Sequence, residues 1–133
     1  MRAYQRILGI AGAAVGLTVL AGHTAWAETD CYTNAKNYYA SMVSFTAYGE
    51  KVNVIDQEAD GHSAVAILDV HNDVHGGTFQ SYILWNPDGK NTGKLYDLDI
   101  VEGTPVVLTG CVGEYGTKSV IWSSCGTSVT GVA

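Results

Sequence analysis

HSAVAILDVHNDVHGGTFQSYILWN, residues 62–86, carries three histidines and two aspartates inside an otherwise apolar stretch, and its reading decides the fold. Its first part, SAVAILDV, is apolar at nearly every position, which suits a strand covered on both faces. Its last part, TFQSYILW, puts Phe79, Ile83 and Trp85 on one face and Tyr82 and Leu84 on the other. HNDVHGG between them is polar and ends in two glycines, so the stretch reads as a β-hairpin with a polar tip. The competing reading is a metal site. Residues two apart in a strand share a face at about 6.6 Å, so His71 with Asp73, or Asp73 with His75, would chelate one ion; His71 and His75 are about 13 Å apart in that geometry and meet on one ion only if the tip coils. A structural zinc site takes four ligands. The tip supplies three, His71, Asp73 and His75, with His62 or Asp69 as the nearest additions. We read a solvated hairpin tip and keep the metal site as the alternative.

The same alternation runs outward in both directions. Upstream, MVSFTAY (42–48) places Val43 and Phe45 on one face, and KVNVID (51–56) does the same with Val52 and Val54. QEADG (57–61) is an acidic turn, and YTNAKNYYA (32–40) fits a short helix or a loop. Downstream, NPDG (86–89) is a turn, with Pro87 presetting its φ and Gly89 taking the left-handed position. KLYDLDIV (94–101) turns Tyr96, Leu98 and Ile100 inward and Asp97 and Asp99 to water. VVLTGCV (106–112) and TKSVIWSS (117–124) flank the turn GEYG (113–116), and GTSVTGVA (126–133) adds a short edge strand. No 12-residue window carries a helical stripe. The expected fold is all-β: a single small antiparallel sandwich or barrel of seven to eight strands, Greek-key-like.

Residues 1–27 read as a cleaved signal peptide. Arg2 and Arg6 precede the uncharged apolar run ILGIAGAAVGLTVLAG, and Ala25-Trp26-Ala27 supplies the small residues of a cleavage site. The run is shorter than the about 20 residues that a bilayer span needs, and no second run follows, so no stable membrane anchor is expected. Cys31 lies behind Glu28 and Asp30, not at the cleavage point, which argues against lipidation. The expected product is a secreted, extracellular domain of residues 28–133.

With both arginines in the leader, residues 28–133 keep five lysines against thirteen acids, a formal charge of −8. Nucleic-acid binding needs clustered Lys and Arg, so it is excluded as a function class. A domain of this size has a modest core and gains from a covalent brace. Export places Cys31, Cys111 and Cys125 where disulfides persist. Three pairings are open; Cys111–Cys125 is favoured because both lie in the strand-rich C-terminal region. Cys31, among acids that raise its pKa, is a poor nucleophile.

GEKVNVIDQEADGHSAVA (49–66), LWNPDGKNTG (84–93), EGTPVVLTGCVGEYGTKSVIWSSCG (102–126) and the terminal TGVA together resemble a group of small secreted actinobacterial exoproteins. The resemblance spans nearly all of residues 28–133. It implies secretion, a compact β fold and one or two disulfides, and it brings no catalytic residue to carry over.

Other chemistries are thinly supported. Asp56, Glu58 and Asp60 alternate as in a calcium loop, but position twelve from Asp56 is Ile67, which cannot ligate, so an EF-hand is excluded. Asp97 and Asp99 have glycosidase chemistry but share one water-facing strand face. No G-x-S-x-G is present. No cofactor is called for, zinc or calcium being the ions whose ligand types occur. Aromatic residues are numerous, and those at turns, Tyr115 and Tyr48, together with Trp122, are the candidate ligand contacts. The expected function is a non-catalytic β-domain that binds an extracellular protein or cell-envelope ligand, with an inhibitor as one form. The metal-binding exoprotein and a small secreted hydrolase are the alternatives.

Overall fold

The computed structural model describes residues 28–72 and 78–133. Residues 1–27, on which the expectation of a signal peptide rests, lie outside the described residues, as do Asp73 and His75.

Nine strands occur among the described residues: β1 (Cys31–Asn34), β2 (Met42–Thr46), β3 (Lys51–Asp56), β4 (Ser63–Asn72), β5 (Thr78–Asn86), β6 (Thr92–Asp97), β7 (Pro105–Glu114), β8 (Ser119–Ile121) and β9 (Val129–Val132), with one 3-10 turn at Trp122–Ser124. They form two antiparallel sheets, β1-β2-β3-β6 and β5-β4-β7-β8, with β9 also on β7. The fold is a sandwich and not a closed barrel, because β5 and β6 do not pair. They touch instead where Tyr96 Oη donates to Trp85 O at 2.6 Å. β3 pairs with β6 and β4 with β7, so twice a strand lies beside the third one after it, the returning connection of a Greek key. The count exceeds the expected seven or eight because the stretch read as helix or loop opens with β1.

The inner layer is what the alternation predicts. Val43 and Phe45, Val52 and Val54 from one sheet meet Ala64, Ala66, Leu68, Val70, Leu84, Val106 and Leu108 from the other. β4 is central, paired on both sides, and its other face is buried too: Val65 and Ile67 join Trp85 and Cys111 in a smaller cluster with Val120 and Cys125. The unbroken apolar run of β4 thus serves two cores.

β7 organises the C-terminal region. Its start pairs with β9 and its end with β8 along the same edge. Between them the chain returns through the 3-10 turn, pinned by the Cys111–Cys125 disulfide and by Ser124 Oγ, which accepts Val112 N–H at 2.9 Å. β1 runs against this edge at backbone distance. A Cβ on Gly110 would sit 2.7 Å from Asn34 C, and one on Gly126 2.0 Å from Asn34 O, so both positions require glycine. Asn86 is fully buried and ties the layers: its Nδ2 donates to Val54 O and to Thr92 O, each at 3.0 Å, and its Oδ1 accepts Asp88 N–H. Gly89 has φ +89°, as its turn demands.

Candidate ligand-binding face

The outer face of the four-stranded sheet follows from register. Cys31 pairs with Phe45 and Val43 with Val54, all on the core side. The alternate positions therefore point out: Tyr32 and Asn34 from β1, Met42 and Ser44 from β2, Asn53 and Ile55 from β3, Gly93 and Leu95 from β6. Polar residues are the usual occupants of a solvated pleat. Here Tyr32 is 79 % exposed and Leu95 61 % exposed, with Met42 and Ile55 half-buried between them.

The β1–β2 connection raises one wall. Ala35 N–H donates to Ser41 O and Gln57 N–H to Tyr39 O, which holds this loop beside the sheet. Tyr38, 50 % exposed, packs edge-on against Tyr39 with ring centroids 5.1 Å apart. The result is a shallow hollow of about 100 Å³ lined by Tyr32, Thr33, Asn34, Tyr38, Met42, Val43, Ser44 and Ile55. None of these carries a charge. Asn34 Nδ2 already donates to Ala35 O, whereas Ser44 Oγ has no side-chain hydrogen bond among the described residues. The nearest ion pair on this face, Lys51 Nζ to Asp97 Oδ2 at 3.2 Å, is solvent-exposed at its far end. The hollow offers aromatic faces, a hydroxyl and an apolar floor. None of its eight lining side chains is a carboxylate, imidazole, amine or thiol.

Sequence reasoning singled out other aromatics. Tyr48 is 83 % exposed in the β2–β3 turn, at the end of the sandwich where β7 begins. Tyr115 follows the other end of β7, ten residues on, about 30 Å away in an extended strand. One small ligand does not span both. Tyr115 is also engaged: its ring packs edge-on against Trp85 at 5.9 Å, and Lys118 Nζ caps it 3.0 Å from the centroid. Trp122 is exposed in the 3-10 turn on the five-stranded sheet.

The polar candidates are dispersed. His62 and His71 mark opposite ends of β4, so His62 is about 30 Å from the hairpin tip, and it contacts Glu114 instead. Asp69 accepts a hydrogen bond from Ser81, and His71 packs edge-on against Phe79 at 4.7 Å. His62 is therefore too far away to complete a site with His71, whereas Asp69 shares its strand face two residues along, with one oxygen held by Ser81. Asp60 Oδ1 accepts His62 N–H at 2.9 Å, and Asp56 Oδ1 accepts Glu58 N–H at 3.0 Å, so these acids brace their own turn. Among the described residues no three or more His, Cys, Asp or Glu side chains converge on a metal position. Asp97 is paired with Lys51 while Asp99 lies beyond the end of β6. Cys31 is a free, half-buried thiol pushed up to about 11, first by burial and then by the charge of Asp30.

No family model, curated protein or solved structure matches the chain.

The face was missed in the sequence because it lies between turns. Its signal is present nonetheless: Met42, Ile55 and Leu95 are apolar residues out of phase with the inward set of their own strands.

Proposed function

We propose that the chain is an exported, non-catalytic binding domain whose ligand is an extracellular protein or a cell-envelope component. The observation that carries this reading is the cluster of Tyr32 and Tyr38 around an uncharged hollow, on a sheet face that a lone soluble domain would keep polar. The apolar leader supports export, as does the Cys111–Cys125 disulfide, a bond that persists in oxidising surroundings. An inhibitor acting on another exported protein is one form of the same function. No helix among the described residues is long and apolar enough to cross a membrane.

The test is capture. The protein, expressed from its full chain and immobilised, is incubated with culture supernatant and with isolated cell walls of a bacterium that exports it. A retained component is expected, and its retention falls in Tyr32→Ala and Tyr38→Ala. Retention no better than that of an inert protein of equal charge refutes the reading.

A further inference from the structure

We infer that the outer face of β1-β2-β3-β6 binds an uncharged glycan strand, one sugar lying on Tyr32 and Tyr38 with a substituent seated in the hollow. This rests on the binding function proposed above and names its ligand class.

Charge removes most other occupants. The eight residues of the hollow carry none, in a region of formal charge −8. A phosphate- or carboxylate-bearing polymer meets repulsion from the whole domain and no cation in the hollow. A cationic ligand finds no acid there to pair with. A second copy of this chain brings another −8 to the contact.

Shape separates a glycan from a protein. Interface anchors are large aromatic or arginine side chains that fill well-packed pockets. The hollow, about 100 Å³, is shallow and open to solvent, so it does not enclose and desolvate such an anchor. It suits a group the size of a hydroxymethyl arm. A sugar ring presents a flat C–H face that lies against an aromatic ring, and a rim of hydroxyls. Tyr32 and Tyr38 supply exposed rings, and Ser44 Oγ, their own hydroxyls and the Asn53 amide supply partners for the rim. Asn53 faces the same side and leans over Gly93, where a Cβ would lie 3.4 Å from its Oδ1. Gly93, paired with Ile55, adds no side chain of its own to the face, which continues from the hollow toward Leu95.

Calorimetry with cello-, laminari-, malto- and chito-oligosaccharides, and with oligogalacturonate as the charged comparison, tests the assignment on the full-chain product. Saturable binding of at least one neutral series is expected. Tyr32→Ala and Tyr38→Ala each weaken it by about tenfold, equivalent to about 1.4 kcal/mol. Ser44→Glu, which puts a charge in the hollow, abolishes it. Tyr32→Phe keeps the ring and retains most of the affinity, and Phe79→Ala, on the other sheet, leaves it unchanged. If cell walls or supernatant components are captured but no neutral glycan binds, the glycan assignment falls and the binding function stands. Equal affinity for oligogalacturonate, or binding indifferent to both tyrosines, also overturns it. If nothing is captured and no glycan binds, both fall.

Discussion

Asp56→Asn should make this protein more stable at neutral pH. Asp56 ends β3 on its inward face, is 1 % exposed and has no cation beside it among the described residues. Its Oδ1 accepts Glu58 N–H, but its Oδ2 has no partner among the described residues. Burial raises its pKa above the ordinary carboxylate value; the Glu58 N–H opposes this, and the charges of Asp60 and Glu58 reinforce it. A carboxyl that holds its proton more tightly when folded contributes stability below its unfolded pKa, and that contribution is lost as pH rises through the folded value. At neutral pH the folded chain therefore carries either a buried charge or the work of protonating it. Asparagine keeps the acceptor for Glu58 N–H and removes the charge. Asparagine leaves an unpaired Nδ2 where the unpaired Oδ2 was, so the gain comes from removing the charge alone; about 1 kcal/mol is expected, or roughly 4–8 °C in Tm for a domain of this size. Urea unfolding of both proteins from about pH 3, below the ordinary aspartate pKa, up to neutrality gives the profile. The variant's advantage should shrink toward zero at the acid end. A variant that is equally stable, or less stable, at every pH would show that the carboxylate is compensated inside the fold, and the reasoning would fail.

Gly113→Ala should be destabilising by about 1–3 kcal/mol through overpacking, because its Cβ would lie 2.6 Å from Ser119 O and 2.9 Å from the Trp85 ring; thermal unfolding gives the loss and near-ultraviolet circular dichroism the displaced indole. Replacing Cys111 and Cys125 together by alanine opens a loop of about 15 residues and should cost about 3 kcal/mol in the chain-entropy model, read as a lower urea midpoint; an unchanged midpoint would mean that strand pairing alone fixes the 3-10 turn. Cys31, with its thiol at about 11, should react with a disulfide reagent at neutral pH far more slowly in the folded protein than after unfolding; equal rates would contradict its burial against the core.

The layer structure was readable from residues because it is written locally. The unbroken run Ala64–Leu68 announces a strand buried on both sides, and Val43/Phe45 and Val52/Val54 announce strands buried on one. The turn at Asn86–Gly89 is fixed by its own side chains, since Asn86 Oδ1 takes Asp88 N–H and Thr92 Oγ1 donates to Gly89 O at 2.5 Å. β1 was not readable, because nothing within Cys31–Asn34 specifies a strand. It is made by pairing with β2 and by the absence of side chains at Gly110, Gly126 and Gly131, some eighty to a hundred residues away. β6 differs in the other direction. Its inward alternation continues through Leu98 to the buried Ile100, although pairing stops at Asp97.

The binding face depends on the same non-local information, which is why turns attracted attention first. A tyrosine at a turn, such as Tyr115, is visibly exposed in sequence, yet the fold folds that tip back so that Trp85 and Lys118 occupy its ring. Tyr32 sits in a segment with no strand signal, and its outward direction exists only because Cys31 pairs with Phe45. A shift of one residue in that register would send Tyr32 to the core and the Cys31 thiol to water. The register is enforced on the inner side: Cys31 packs against the main core, and its Sγ would lie 3.0 Å from a Cβ on Gly131. The half-buried thiol and the exposed tyrosine are thus consequences of one constraint, and the face that meets a ligand is held in place by packing on its opposite side.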